Sequence, residues 1–131
     1  MNGSLLRVFA LEVNDDTKTI TPHVRHISPD NVLKDLYKIL NCDLVTCVEI
    51  EVGGKFFDVW ADDEALLKDK PVPNLFIDDE LIFFGSVAFA KTDEDGELVG
   101  LDSDEIHLLW DFAIAQFPKL LNFLACNRRD S

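Results

Sequence analysis

The sequence feature that most constrains the fold is the pair Gly53-Gly54, at the centre of the segment Leu44–Trp60. Two glycines between stretches of alternating apolar residues are typical of a β-hairpin with a two-residue loop, because glycine reaches the positive φ angles that such a turn requires. If these glycines form the loop, the register of the two strands is fixed, and Ile50 lies opposite Phe57 on an apolar face. The segment therefore predicts an amphipathic hairpin that covers a core.

The opposite face of the predicted hairpin brings acidic residues together. The same register pairs Glu49 with Asp58, and it pairs Cys47 with Trp60. Two carboxylates that lie directly opposite each other on paired strands repel. A nearby basic side chain, a bound cation or a basic partner would compensate for this repulsion. Two solvated carboxylates, or a register shifted by a bulge, would need no compensation.

The hairpin leads into a charged, proline-containing loop and then into the most apolar part of the chain, all within Trp60–Ala90. The acidic residues Asp62–Glu64 predict the start of a short helical turn that ends at Leu67, since acids stabilise a helix N-terminus. Pro71 and Pro73 exclude a long helix here and favour extended backbone.

A polar residue and an apolar run follow the prolines. Asn74, between apolar neighbours, is typical of an asparagine that hydrogen-bonds the backbone and less often of a ligand contact. Leu81–Ala90 predicts a central strand covered on both faces, and Gly85 within it indicates a bulge or close packing of another backbone. Aromatic and polar groups converge in this part of the sequence, as ligand sites require. The candidate binding residues are Glu49, Asp58, Trp60, Asp62, Asp63, Glu64 and Asn74.

The N-terminal third predicts two strands and a helix. The strands span Leu5–Val13 and Thr19–Ile27, separated by polar turn residues. Pro22 lacks an N–H and places the second strand at a sheet edge. Ser28-Pro29 predicts the start of an amphipathic helix, because serine is a good N-cap and proline suits the first helical position. The apolar face of this helix comprises Val32, Leu33, Leu36, Ile39 and Leu40.

The C-terminal third predicts a turn, a short strand and a helix. Asp93–Gly96 lacks the ligand spacing of a calcium loop and predicts a hairpin turn, with Glu97–Leu101 as the return strand. Asp102 and Glu105 form a capping-box pattern that begins a helical segment over residues 102–126. Pro118 predicts a kink or break in this helix.

Apolar residues occupy more than one side of this last helix, which indicates either deep burial or a shared interface. One stripe comprises Ile106, Leu109, Trp110, Ala113, Ile114 and Phe117. Leu108, Phe112 and Phe123 fall outside it and are candidate contacts of a homodimer.

Together these elements predict a single α+β domain over residues 1–131, with a mainly antiparallel sheet of about five to six strands and two main helices packed on it. The formal net charge of −13 repels nucleic acid and anionic membranes and attracts basic partners. No apolar run reads as a membrane span, and no secretory signal begins the chain. Three cysteines without a CxxC motif indicate reduced thiols and a cytoplasmic protein.

The local chemistry does not indicate an enzyme, a metal site or a cofactor site. Ser86 lacks the GxSxG context of a nucleophile elbow. His23 and His26 are three residues apart on a predicted strand, hence on opposite faces, and Cys42 and Cys47 would also point to opposite faces if both lay on a strand. We therefore expect no catalytic residues, no metal and no cofactor.

The segment from Gly54 to Ile106 resembles a family of small uncharacterised domains carried by bacterial phages and mobile elements. In that family a strand ends in a D-E-x-x-L segment, followed by P-x-N, an apolar strand with an internal glycine, and a G-E-x-x-x-L-x-x-E helix start. The matching residues are Asp63, Glu64, Leu67, Pro73, Asn74, Phe84, Gly85, Gly96, Glu97, Leu101 and Glu105. The resemblance covers roughly Ile27–Ile106, and the apolar C-terminal tail departs from it. It implies a small α+β fold and a mobile-element setting, but no activity.

Two functions of different classes fit these observations. The first is an acidic, non-enzymatic protein-interaction module that docks on a basic host or element protein. This module could form a homodimer. Its acidic clusters are Asp62–Glu64, Asp78–Glu80 and Asp93–Glu97. The second is a small-molecule or nucleotide-binding module with a pocket near Trp60–Asn74.

Overall fold

The computed structural model describes residues 5–14, 16–17, 19–64, 73–77 and 80–129, with the side chains of 73, 75–77, 80–84, 117 and 119–129 left undescribed. These residues form eight strands and two helices. In chain order they are β1 (Leu6–Asn14), β2 (Thr19–Ile27), α1 (Val32–Leu40), β3 (Val45–Val52), β4 (Lys55–Asp62), β5 (Pro73–Ile77), β6 (Glu80–Phe84), β7 (Val87–Thr92), β8 (Leu98–Val99) and α2 (Ser103–Arg129).

Six of the strands form one antiparallel sheet. Its strand order is β2-β1-β7-β4-β3, and β8 pairs with the far end of β7. The hairpin of β5 and β6 forms a separate two-stranded sheet. The predicted fold class, an α+β domain with a mainly antiparallel sheet and two main helices, is confirmed. Pro22 lies on β2, an edge strand, as its missing N–H requires.

The hairpin register predicted from Gly53-Gly54 is confirmed along its whole length. β3 and β4 pair without interruption from Val52 opposite Lys55 to Val45 opposite Asp62. Both glycines have positive φ, +59° and +82°, as a two-residue loop of this kind requires. The hairpin therefore has one face that is apolar and one that carries Glu49 and Asp58.

One helix covers each face of the main sheet. Because side chains alternate along a strand, neighbouring residues of β7 point to opposite helices. Phe89 packs toward α2, where its ring lies 6.1 Å from that of Phe112. Ala88 and Ala90 point the other way, toward α1, whose buried residues are Leu36 and Leu40. β7 is thus a central strand buried on both faces, as predicted for this part of the apolar run.

Helix α1 begins three residues later than the Ser28-Pro29 pair predicts. Its N-cap is Asn31, and the first helical hydrogen bond runs from the Asp35 N–H to the Asn31 carbonyl. The Ser28 hydroxyl instead accepts the N–H of Asp30 in a turn that precedes the helix. Leu33, expected on the buried face, is exposed.

The apolar run Leu81–Ala90 is two strands in two different sheets, and the prediction of one strand was wrong. Gly85 separates β6 from β7 and has a φ of +77°, which a residue with a side chain rarely adopts. Just after it, the Ser86 hydroxyl accepts the N–H of Val13 at 2.9 Å, in place of a backbone partner. The glycine thus turns the chain out of the hairpin and into the main sheet.

The capping box of α2 is confirmed in both directions. The Asp102 carboxylate accepts the Glu105 N–H at 2.8 Å, and the Glu105 carboxylate accepts the Asp102 N–H at 2.9 Å. Glu105 is buried and also pairs with Lys91 of β7 at 2.7 Å, which ties the helix start to the sheet. The predicted turn before β8 is also present, with Gly96 at a φ of +81°.

The apolar sides of α2 are arranged differently from the predicted stripe. Leu109 is buried, as its place in the predicted stripe requires. Leu108 and Phe112 lie outside that stripe, yet they pack against the main core. Trp110 and Ile114 belong to the stripe, yet they are 42% and 60% exposed. The helix also continues through Pro118 to Arg129, so Pro118 does not break it, and a kink at this position stays a prediction. Homodimerisation through α2 stays a prediction.

Candidate functional site

The first candidate site is the outer face of the β3–β4 hairpin, on the side of the sheet that carries α1. Three carboxylates share this face, those of Glu49, Glu51 and Asp58, and we call it the acidic face. Glu49 and Glu51 are exposed and Asp58 is half-buried. Glu49 and Asp58 are direct cross-strand neighbours, so their Cβ atoms lie about 5 Å apart. The predicted pairing of Glu49 with Asp58 is therefore confirmed.

Within the described residues, the carboxylates of the acidic face have little compensation. Asp58 accepts a hydrogen bond from the Thr92 hydroxyl at 3.0 Å. Among the described residues, the ion pairs with lysine or arginine are Arg25–Glu12 and Lys91–Glu105, both away from this face. The repulsion across the hairpin is thus not offset by an ion pair in the described structure.

The pKa of the Cys47 thiol is affected by the carboxylates of the same face. Partial burial of the sulfur is the main cause that raises its pKa to about 11, and the negative charges of Asp58 and Glu49 raise it further. Desolvation and nearby negative charge both disfavour a thiolate. The raised pKa therefore disfavours the thiolate form of Cys47 at neutral pH.

An exposed aromatic side chain adjoins the carboxylates. Phe56 lies directly opposite Glu51 on the hairpin and is 59% exposed. Aromatic side chains bury a large area when a partner covers them, and they are enriched among the residues that dominate binding energy. The acidic face therefore combines negative charge with one apolar anchor.

Two of the candidate binding residues at the end of β4, Trp60 and Asp62, are packed into the protein rather than free at its surface. Trp60 packs against the α1 side of the sheet, and its indole N–H is buried without a hydrogen-bond partner in the described structure. Asp62 is buried, and its carboxylate accepts the N–H of Glu64 at 2.9 Å. Asp63 and Glu64 are exposed. The predicted helical turn to Leu67 lies outside the described residues.

Asn74 lies on the other side of the sheet from Trp60. Its side-chain amide donates to the carbonyl of Leu11 at 3.1 Å and to the carbonyl of Gly85 at 2.6 Å. It thereby joins β5 to the end of β1 and to the turn before β7. The residue is 1% exposed, and its Oδ1 atom has no hydrogen-bond partner among the described residues. As predicted, the Asn74 side chain hydrogen-bonds the backbone, but it does not lie on the same face of the sheet as Trp60.

The second candidate site is an apolar cleft beside Asn74, between α2 and the strands β1 and β2. It encloses about 600 Å³. The lining residues are Leu11, Ile20, Pro22, Asn74, Trp110, Ala113, Ile114, Gln116 and Pro118. Sequence reasoning missed this cleft because its walls come from four separate elements. The surplus of apolar positions on α2 was the one local signal of it.

The remaining acidic clusters differ in how far their side chains are available. In the turn between β7 and β8, the Asp93 carboxylate accepts the N–H groups of Asp95 and Glu97, so it stabilises the turn. The cluster Asp78–Glu80 lies mostly outside the described residues. Phe123, a candidate dimer contact, has no described side chain.

The metal and membrane predictions can be compared with the described part of the chain. There, no group of three or more His, Cys, Asp or Glu residues is arranged to hold a metal ion. His23 and His26 lie on opposite faces of β2, as predicted, whereas Cys42 lies between α1 and β3 and not on a strand. Neither described helix has the length and hydropathy of a bilayer span.

An antiparallel sheet with one helix on each face, reached through a two-glycine hairpin and a capping box, defines a small α+β domain. Residues 10–113 match the family model of DUF3846, a domain of unknown function, and the chain belongs to this family. The match includes the whole sheet except the start of β1, and it ends within α2. Comparisons with curated proteins and with solved structures found no match.

Proposed function

We propose that this domain acts by binding rather than by catalysis, and that it docks on a basic protein through the acidic face. The observation that carries the proposal is the group of three carboxylates, Glu49, Glu51 and Asp58, on a sheet face without an ion pair in the described structure. A basic partner would relieve their mutual repulsion, which supplies a favourable term that the isolated domain lacks.

The composition and the exposed aromatic support the same function. A net charge of −13 steers basic partners toward the domain and keeps nucleic acid away. Phe56 supplies apolar contact area at the end of the acidic face. Aromatic residues surrounded by polar groups are typical of the energetic centre of protein interfaces.

The biological setting is part of the proposal. The motifs around Asp63, Asn74 and Gly96 resemble domains carried by phages and mobile elements. A cytoplasmic protein in such a setting would meet many basic proteins, including those that normally bind DNA. The proposed role is therefore that of an acidic accessory factor that occupies the basic surface of another protein.

Binding of an oligolysine peptide tests the proposal. The peptide is titrated calorimetrically into the protein and into the triple variant Glu49→Gln, Glu51→Gln, Asp58→Asn. Each exposed charge pair near 5 Å is worth about 0.8 kcal/mol in water, so three of them correspond to about 2.4 kcal/mol, or a loss of roughly fiftyfold in affinity. The affinity of the unchanged protein should also fall steeply with added salt.

The matched control changes three exposed acids elsewhere. Glu94→Gln, Asp95→Asn and Glu97→Gln remove the same charge from the turn between β7 and β8. This variant is expected to weaken binding only slightly, through the net charge. If both triple variants weaken binding equally, the acidic face is not a distinct site and the proposal fails.

A second candidate function is the binding of a small apolar molecule in the cleft beside Asn74. The cleft volume of about 600 Å³ falls in the range of ligand pockets. A fully buried acceptor without a partner in the described structure, Asn74 Oδ1, belongs to a residue of the lining. The described part of the lining contains no basic residue, which favours an apolar ligand over a nucleotide.

Nile red, a neutral dye, tests this second function. We expect saturable fluorescence enhancement that Ile114→Glu abolishes, because a carboxylate at the cleft wall disfavours an apolar ligand. Leu33→Glu is the matched control, since Leu33 is also an exposed aliphatic residue, 49% against 60% for Ile114, but lies on α1. Equal fluorescence loss in both variants, or none in either, would exclude the cleft as the dye site.

A further inference from the structure

In the part of the chain that the structure describes, β3 is an edge strand protected by neither proline, lysine nor a bulge, and its charged residues, Glu49 and Glu51, are acidic. In the described structure it pairs with β4 alone. Its register is regular over all eight residues, and its sequence contains no proline, no lysine and no arginine. The other edge strand, β2, carries Pro22 and Arg25. Because proteins block exposed edges with such residues and with bulges, an open and regular edge indicates a surface that pairs with another chain.

The geometry of the hairpin identifies the backbone groups that face this edge. In a two-residue loop the flanking residues, here Val52 and Lys55, exchange backbone hydrogen bonds with each other. Hydrogen-bonded pairs alternate along an antiparallel ladder. The N–H and C=O groups of Glu51, Glu49 and Cys47 therefore point away from β4, and all three residues are exposed.

The same three residues have their side chains on one side of the sheet, the side of the acidic face. We propose that an extended, basic segment of a partner protein adds to β3 as a further strand. It would bond the backbone of Cys47, Glu49 and Glu51 and place lysine or arginine at alternate positions against the carboxylates. This inference rests on the proposed function and specifies how the partner is recognised.

The opposite side of β3 defines the residues between the basic ones. Val48 points to that side, next to the open edge, and is 40% exposed. A strand added beside it would cover this apolar surface with its own intervening side chains. The segment recognised by the domain thus alternates basic and apolar residues over about five positions.

Charge selects against a second copy of this chain as the added strand. Pairing of β3 with β3 of another molecule would bring Glu49 and Glu51 of both chains onto one continuous face. Like charges on adjacent strands destabilise the pairing. A basic segment has the opposite effect, so the same edge that repels its own copy accepts a partner.

Backbone N-methylation of a synthetic peptide tests strand addition. The probe is acetyl-Gly-Lys-Val-Lys-Val-Lys-Gly-amide, with two isomers, one N-methylated on the lysines and the other on the valines. In an antiparallel addition the lysine N–H groups bond β3, whereas the valine N–H groups face solvent. We expect the lysine-methylated isomer to bind at least tenfold more weakly than the valine-methylated one, which should stay within about threefold of the unmodified peptide.

Amide hydrogen exchange on the protein gives a second readout. The N–H groups of Cys47, Glu49 and Glu51 are expected to become protected when the unmodified peptide binds, and those of β2 to remain unchanged. A reversed order of the two isomers also supports strand addition, in the parallel orientation. Equal affinity of the two isomers, or no binding of the unmodified peptide, overturns it.

The outcomes separate this inference from the proposed function. If Glu49→Gln with Glu51→Gln weakens the unmodified peptide while the two N-methylated isomers bind equally, the acidic face is a docking site and strand addition is wrong. If those substitutions change nothing, relative to Glu94→Gln with Asp95→Asn, the docking site itself is wrong. Circular dichroism of each variant confirms that the hairpin is still folded.

Discussion

The Cys47 thiol is a built-in probe of the acidic face, and its ionisation can be measured without knowledge of any partner. Its pKa lies at about 11, compared with an ordinary value of 9.0. At pH 9.0 an ordinary thiol is about half ionised, whereas a thiol with this pKa is about 1% ionised. We therefore expect the thiolate population of the folded protein to be lower by a factor of roughly fifty.

The two causes of the shift can be separated by substitution. Asp58 and Glu49 lie about 6 to 7 Å from Cys47 on the pleated surface, and a unit charge at that distance in water raises a pKa by about half a unit. Asp58→Asn and Glu49→Gln should each lower the pKa by about that amount, and together by about one unit. Burial, the larger cause, remains in the double variant, so its pKa should stay above 9.0.

The assay is the rate of iodoacetamide alkylation from pH 7 to 10, in a protein with Cys42→Ala and Cys126→Ser so that only Cys47 reacts. The rate should rise with pH without a plateau, whereas the urea-unfolded protein should level off near the ordinary pKa. Glu94→Gln, at the distant turn, serves as the charge-matched control. A midpoint near 9.0 in the folded protein, or no shift in Asp58→Asn, would refute the electrostatic description of the acidic face.

Three further predictions concern stability and are measured by chemical or thermal unfolding. Asn74→Ala should cost about 2–4 kcal/mol, because two backbone carbonyls lose their donor, and Asn74→Asp should cost more at pH 7 than at pH 4, where the introduced acid can be protonated. Gly53→Ala should destabilise more than Gly54→Ala: both have positive φ, but a Cβ on Gly53 would lie 2.7 Å from Leu108, whereas Gly54 faces open space. Asp102→Ala should lower the melting temperature at neutral pH. The pKa of Asp102 is depressed by its bond to a first-turn N–H, so its contribution is present above pH 3.8, and the difference from the parent should shrink as the pH falls below it.

Local chemistry explains which elements the sequence could predict. The β3–β4 hairpin and the capping box of α2 depend on residues a few positions apart, Gly53-Gly54 in one and Asp102 with Glu105 in the other. Their hydrogen bonds close within the same segment, so the pattern alone fixes the geometry. The acidic pair of the candidate site followed from the hairpin register for the same reason.

Distant contacts explain the errors. The run Leu81–Ala90 is uniformly apolar, and nothing within it marks where one strand ends. The break at Gly85 is held by the Asn74 amide, which donates to the Gly85 carbonyl, and by the Val13 N–H, which donates to the Ser86 hydroxyl. Both partners lie outside the run. Helix α1 likewise begins later than predicted. The Ser28 hydroxyl accepts the N–H of Asp30 in a turn, and the Ser28 N–H donates to the Asp35 carboxylate. The residue pattern around Ser28 does not reveal these hydrogen bonds.

The burial pattern of α2 shows the same limit at the level of packing. Helical periodicity groups Trp110 and Ile114 with Leu109, but the sheet it packs on decides which of them it covers. The ring of Phe9 projects from the sheet and contacts the ring of Trp110 in a T-shaped arrangement. The ring of Phe89 contacts that of Phe112 in the same way. Ile114 lies past this contact and remains at the wall of the cleft.

The sheet itself separates the two candidate functions. The acidic face lies on the α1 side, where helix α1 packs with Val45 and Trp60 and leaves Glu49 and Glu51 exposed. The apolar cleft lies on the α2 side, against β1 and β2 at the other edge. Residues on opposite faces of a packed sheet share no side-chain partner, and substitutions at such sites act independently. The charge substitutions that weaken peptide binding should therefore leave dye binding unchanged, so each function can be rejected independently of the other.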